Sequence, residues 1–204
     1  MVNGLATTTG GITVKDGAFL KGSGVIAGGD IIIDSGGVLS PGNSVEQLAG
    51  ASAIWKSGAF YDWEIQDAGA GMGLGWDHLT LSGSLDIQAT SSDPFTVNLI
   101  TLNNLGNPGP LLDWNPQPND VLTWTILSAA GGITGFDPDA LAVTLNLDQF
   151  ASSIQGVFSL GLGDEGKSLV ISYTPDIAAI PEPGSTVALA LLLTTTAGLH
   201  RRRR

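Results

Sequence analysis

The sequence predicts an all-β protein. A short parallel β-helix, or solenoid, should form the N-terminal part and continue into a β-sandwich-like part. A hydrophobic helix should close the chain. Three observations carry this expectation. Over residues 10–50, short apolar runs recur fewer than ten residues apart between glycine turns, a spacing too tight for helices. Charged residues make up only 13% of the chain while Gly supplies 29 of 204 positions, about half and twice the usual shares. No amphipathic helical period precedes residue 180, after which residues 185–199 run without a charge.

The elements follow in order. Residues 11–14, 19–20, 25–26, 30–33 and 38–39 read as strands, punctuated by glycines at 10–11, 22, 24, 28–29 and 36–37. Ser40, Pro41, Gly42, Asn43 and Ser44 read as a turn in which Pro41 presets φ and Gly42 supplies a positive φ. Residues 60–65 alternate Phe60, Asp62 and Glu64 against Tyr61, Trp63 and Ile65, so one face is buried and the other polar. Residues 79–81 and 85–87 bracket Ser82, Gly83 and Ser84, a hairpin or rung turn. Residues 95–102 and 121–127 are β-branched and aromatic runs, and 157–162 with 169–173 form the last pair. Residues 103–119 contain Pro108, Pro110, Pro116 and Pro118 and read as a surface loop. The expected organisation is an all-β domain over 1–175, a linker over 176–184, and a hydrophobic, membrane-spanning helix with a basic tail over 185–204.

Composition excludes several function classes. The net charge is −11, and Arg201, Arg202, Arg203 and Arg204 supply half of the 8 basic residues. Without those four, the rest of the chain stands at −11 − 4 = −15. Nothing basic remains to build a nucleic-acid surface. With no Cys there are no disulfides, thiolate metal sites or cysteine nucleophiles. Hydrophobic residues at 43% and a length of 204 are enough to bury a core.

Motifs with chemical meaning are few. Gly161, Gly166, Lys167 and Ser168 satisfy the P-loop spacing. A P-loop needs a following helix, whereas Ser168 opens the strand-like run Leu169 to Tyr173, so a glycine-rich hairpin turn is expected. Gly69, Gly71, Gly73 and Gly75 alternate in what reads as a flexible connection rather than a phosphate cradle. His78 beside Asp77 lacks a nucleophile partner or a second histidine ligand, and is expected at a strand edge on the surface. Asp62 and Glu64 share a strand face, as a glycosidase pair would, but an ordinary solvated face is the stronger expectation. Asp137 with Asp139, or Asp30 with Asp34, are oxygen donors of the kind Ca²⁺ takes, without a calcium-loop pattern around them. No metal centre, cofactor or catalytic residue is expected. Trp114, in the polar loop, is the candidate for stacking on a sugar ring; the other tryptophans are expected in the core.

The C-terminus carries a resemblance. Pro181, Glu182 and Pro183, then the apolar run 185–199, then Arg201 to Arg204, resemble in that order the PEP-CTERM sorting signal of Gram-negative bacteria. The run would make roughly 22 Å of helix at 1.5 Å per residue, a marginal span of a bilayer core of about 30 Å. The arginines would stay cytoplasmic and place the body outside. The resemblance implies export, a transient membrane anchor, and processing near Pro181–Pro183 by an exosortase-type membrane protease. It also implies a link to exopolysaccharide or biofilm. Residues 1–14 carry no Lys or Arg and no long apolar run, so an export signal is expected upstream of Met1.

A second resemblance covers most of residues 20–175. Gly22, Ser23 and Gly24 leading to Leu39, Ser40, Pro41, Gly42, Asn43 and Ser44 resemble the end of the β-helical passenger repeats of autotransporter-type proteins. Trp76, Asp77, His78, Leu79, Thr80, Leu81, Ser82 and Gly83 resemble one of their later strands, as does the run from Asp120 to Leu127 with Gly131 and Gly132. Together these imply an exported surface or matrix protein whose work is structural or adhesive. The alternative is a carbohydrate-binding module or a glycan-active enzyme acting on exopolysaccharide.

Overall fold

A computed structural model of the chain describes residues 1–117, 119–145 and 156–176. Among them, seventeen strands build three sheets, and the first fifteen wind as five successive three-strand rungs. The rungs are β1 (Leu5–Thr7), β2 (Ile12–Val14) and β3 (Phe19–Gly22); β4 (Val25–Ala27), β5 (Asp30–Ile33) and β6 (Val38–Pro41); β7 (Gln47–Gly50), β8 (Ser52–Trp55) and β9 (Phe60–Ile65); β10 (His78–Leu81), β11 (Leu85–Ile87) and β12 (Phe95–Thr101); and β13 (Leu122–Ala129), β14 (Ile133–Thr134) and β15 (Leu141–Leu145). Sheet A stacks β1, β4, β7, β10 and β13; sheet B stacks β2, β5, β8, β11 and β14; sheet C stacks β3, β6, β9, β12 and β15, all in parallel. The last two strands, β16 (Gly156–Gly163) and β17 (Ser168–Pro175), extend sheet A as an antiparallel hairpin on β13.

The expected solenoid is present and reaches further than its N-terminal part. Parallel stacking continues to Leu145, and among the described strands antiparallel pairing is confined to β16, β17 and their contact with β13. Alternating strands look alike in a sandwich and in a wide-rung solenoid, because both bury one face. The 82–84 segment is a rung corner between β10 and β11 rather than a hairpin. The expected C-terminal helix lies outside the described residues.

Inward side chains align from rung to rung. Val14, Ile33, Trp55 and Ile87 form one column. Leu20, Leu39, Tyr61, Val97 and Val143 form another. A third runs Leu48, Leu79, Leu127 and Leu169. Most of these are fully buried, and each aliphatic member contributes roughly 1.5–3 kcal/mol of burial. Trp55 stacks flat on Phe95, with ring centroids 4.1 Å apart and planes 2° apart.

The rungs widen along the chain. In sheet B, Ile12 pairs with Ile31, 19 residues on, while Leu85 pairs with Ile133, 48 on. The added length sits mainly at the corners leading from sheet C to sheet A, residues 66–77 and 102–121.

The corner between sheets B and C is tight and repeats. Lys15-Asp16-Gly17-Ala18, Asp34-Ser35-Gly36-Gly37 and Lys56-Ser57-Gly58-Ala59 stack directly. Gly17 N donates to Gly36 O at 3.1 Å and Gly36 N to Gly58 O at 2.9 Å. All three stacked glycines have φ near +70°, a conformation that only glycine adopts freely. Charge alternates along the outside of this corner, and Lys56 Nζ pairs with Asp34 Oδ1 at 3.4 Å.

Candidate functional site

Two clusters gather polar side chains in the described residues. The first surrounds Asp77 and His78 at the start of β10. Asp77 is fully buried, and its carboxylate accepts two backbone N–H groups, from Glu46 at 2.9 Å and Glu64 at 3.1 Å. Its carbonyl accepts the Trp63 indole N–H at 2.8 Å, and its own amide donates to Glu64 O. One residue thereby ties the end of β9 and the entry of β7 to the start of β10. Burial pushes the Asp77 carboxyl well above the usual range, against its two N–H donors and with the Glu64 and Glu46 carboxylates.

His78 corrects the sequence expectation of an exposed strand edge: it is only 4% exposed. It lies on the outer face of sheet A, beside Gln47 in register. Its Nε2 sits 3.1 Å from Ser128 Oγ and its Nδ1 3.2 Å from Thr80 Oγ1, while Gln47 Nε2 donates to Thr80 Oγ1. The Thr80 hydroxyl keeps a second lone pair and its own proton, so either ring tautomer of His78 satisfies these contacts. The network joins Gln47 on β7, His78 and Thr80 on β10, and Ser128 on β13. Burial lowers the His78 pKa to about 4, so the ring is neutral at pH 7.

Beside this network, β4 and β7 pair only at Val25 and Ala49, and the strands splay around a groove of about 340 Å³. Val25, Ala27, Ala49 and Ala51 make it apolar, with Thr80 and Ser82 contributing hydroxyls.

The second cluster lies on the outer face of sheet C. Asp62, Asn98 and Thr144 align in register. Asn98 Nδ2 donates to Asp62 Oδ1 at 2.7 Å and Thr144 Oγ1 donates to Asn98 Oδ1, so three rungs are bridged by one continuous ladder. Glu64 shares this face. Burial raises its pKa, with Lys21 opposing and Asp62 reinforcing. Asp62 and Glu64 are thus half-buried neighbours on one strand, and Asp62 is committed to Asn98.

The remaining expected features resolve simply. Residues 163–168 form the turn of the β16–β17 hairpin, with Asp164 and Glu165 at φ 47° and 51°, and no helix follows. The 69–75 segment folds on itself through Gly75 N to Gly71 O at 2.7 Å and Gly73 N to Trp76 O at 2.8 Å. Asp137 caps a short 3₁₀ turn by accepting from Asp139 N, and Asp34 pairs with Lys56. No group of three His, Cys, Asp or Glu side chains among the described residues is arranged to hold a metal ion.

Trp114 is half-buried. It packs against Tyr173 at 4.7 Å, Phe158 at 6.2 Å and Trp124 at 6.3 Å, centroid to centroid. Other tryptophans fasten the wide corners: Trp76 Nε1 donates to Thr125 O at 2.9 Å and Trp124 Nε1 to Ala68 O at 3.1 Å. Trp55 Nε1 is buried without a hydrogen-bond partner among the described residues. Pro181, Glu182, Pro183 and Arg201 to Arg204 lie outside the described residues. No helix among the described residues is long and apolar enough to cross a membrane.

Sequence signals for the buried network were weak. The only local sign for Asp77 was its place between two apolar residues, Trp76 and Leu79, with His78 next to it. The corner repeat at 14–18, 33–37 and 55–59 was a stronger sign of the rung period than the glycine spacing.

No protein-family model and no curated protein matches this chain.

Proposed function

We propose that this chain is an exported, acidic β-solenoid of the cell surface or extracellular matrix, with a structural or adhesive role. Its C-terminal segment would be the sorting signal. The observation that carries the reading is the solenoid itself, followed in sequence by Pro181-Glu182-Pro183, an apolar run and four arginines. A parallel β-helix is held by backbone ladders and apolar columns rather than by disulfides, and it offers long flat faces to partners. In this reading Arg201 to Arg204 hold the end in the cytoplasm, residues 185–199 cross the inner membrane transiently as a helix, and Pro181, Glu182 and Pro183 mark the region an exosortase-type protease recognises. Removal of the tail takes away four of the 8 basic residues and leaves a strongly acidic mature protein.

Mass spectrometry of the mature protein from its native host tests this. The expected C-terminus falls near Pro181–Pro183. A chain intact through Arg204 would leave a permanent membrane anchor and remove the sorting role. Protease shaving of intact cells tests the location, with the solenoid expected among the released peptides.

The second reading, a carbohydrate-binding module or glycan-active enzyme, draws on the ordered Asp62–Asn98–Thr144 ladder.

A further inference from the structure

The outer face of sheet C differs from a merely solvated face in its order. Two straight columns run along the solenoid axis. One is Lys21, Asp62, Asn98 and Thr144, hydrogen-bonding side chains from four of the five rungs, while Ser40 of the second rung is buried. The other, two residues earlier on each strand, is Phe19, Val38, Phe60, Thr96 and Ala142. It carries two phenyl rings, and the Phe19 ring is 58% exposed with Lys21 Nζ 5.8 Å from its centroid. Three members of the polar column are already locked to one another, so little side-chain entropy is left to lose on binding. Adjacent members repeat at about 4.8 Å, the spacing between strands.

A linear sugar chain has the complementary form. Each pyranose presents an apolar ring face and a rim of hydroxyls that both donate and accept, and the units follow one another in a straight line. The polar column offers both halves of that exchange: Asp62 oxygens accept, while Lys21 and the second Asn98 amide hydrogen donate. A flat face also differs from a strand edge in having no free backbone ladder, which disfavours an extended peptide as occupant. Charge narrows the choice further. The chain carries −11, and Asp62 and Glu64 share this face, so a uronate-rich or sulfated polymer would be repelled.

We propose that the outer face of sheet C binds a linear, neutral polysaccharide lying along the solenoid axis. The ring faces lie over the Phe19–Val38–Phe60 column and the hydroxyls engage Lys21, Asp62, Asn98 and Thr144. This rests on the adhesive reading above and names its ligand class. It places recognition on a different surface from Trp114, which packs against Trp124, Phe158 and Tyr173.

The test is native affinity electrophoresis of the full chain in gels containing hydroxyethyl cellulose, with alginate gels as the anionic comparison. Retardation by hydroxyethyl cellulose and not by alginate is expected. Asn98→Ala should weaken it roughly tenfold, the loss of about one net hydrogen bond and of the ladder's order. Phe19→Ala, at an exposed position where folding is not at stake, should weaken it to a similar degree. Thr134→Ala on the outer face of sheet B should leave it unchanged. Absent retardation, equal retardation by alginate, or equal loss in Thr134→Ala would overturn the proposal. Shaving of intact cells separates the two readings: a surface-exposed protein without retardation loses the glycan site alone.

Discussion

The first three rungs and the last two solve the same stacking problem by different means. From Leu5 to Ile65 the rungs are narrow, and their corners close through glycines whose neighbours leave no room for a side chain. A Cβ on Gly29 would stand 2.1 Å from Gly11 N, and one on Gly22 2.0 Å from Val2 O. From Gln66 onward the corners leading from sheet C to sheet A are long, although the short corners at Gly83 and Gly135 still close on glycine. Side chains fasten the long ones: Asp77, Trp63, Trp76 and Trp124 each carry a hydrogen bond between a corner and a distant strand. The narrow half is therefore closed by glycine corners throughout, and the wide half adds long-range polar contacts from Asp77 and the tryptophan rings. The two halves should fail under different substitutions.

The largest effect is expected at Trp63. Trp63→Ala removes a fully buried indole and its bond to the Asp77 carbonyl, for a loss of about 3–5 kcal/mol in denaturant unfolding. Trp63→Phe retains most of the packing, and its smaller loss of about 1–2 kcal/mol isolates the hydrogen bond. If the two variants were equally destabilised, the fastening role assigned to the indole N–H would be wrong.

Next comes the glycine contrast. Gly29→Ala forces both a left-handed backbone at φ +48° and a backbone clash, and should destabilise by roughly 2–4 kcal/mol. Gly71→Ala, with open space around it and an ordinary φ, should fall within about 0.5 kcal/mol of wild type. Thermal melts of both compare a glycine that closes a corner with one that does not.

The smallest effect is a pH dependence. His78 has a folded pKa of about 4 against about 6.5 in an unfolded chain. Between those values the unfolded chain takes up a proton that the folded chain refuses, so stability falls as pH falls through that window. From pH 7.5 to pH 5 this amounts to about 2 kcal/mol. Asp77 and Glu64 act in the other direction: their raised pKa values make the folded chain bind protons more readily, adding stability as pH falls. Comparing wild type with His78→Gln at each pH cancels the carboxylates. The variant should lose less stability on acidification, and parallel pH profiles would mean that the imidazole is not held neutral.

How much of this was legible follows the same division. In the narrow half, glycine spacing and the Ser40–Ser44 turn lead directly to short stacked strands, because one corner type recurs at a nearly fixed interval. Beyond Gln66 the interval stretches and the period is lost to inspection, although the columns through Leu79, Val97 and Leu127 continue unbroken. That loss makes a sandwich look as reasonable as further rungs. The burial of His78 was invisible for a related reason. It depends on Gln47 and Ser128, 31 and 50 positions away in sequence and brought alongside only by winding. The sheet C ladder was half legible: Asp62 and Glu64 stood out on their strand, but Asn98 and Thr144 join them only once the register is known.

The alternating Lys15, Asp34 and Lys56 corner bears on how such a chain avoids misthreading. Its three corner segments share one backbone form, with a left-handed glycine at the same place in each. Apolar columns alone would then tolerate a rung skipped during winding. Skipping the middle rung would set Lys15 against Lys56, trading an attractive neighbour for a repulsive one at the point where the new rung must seat. Charge alternation at this edge thus acts as a parity check on the winding number, rejecting odd errors that hydrophobic burial cannot detect.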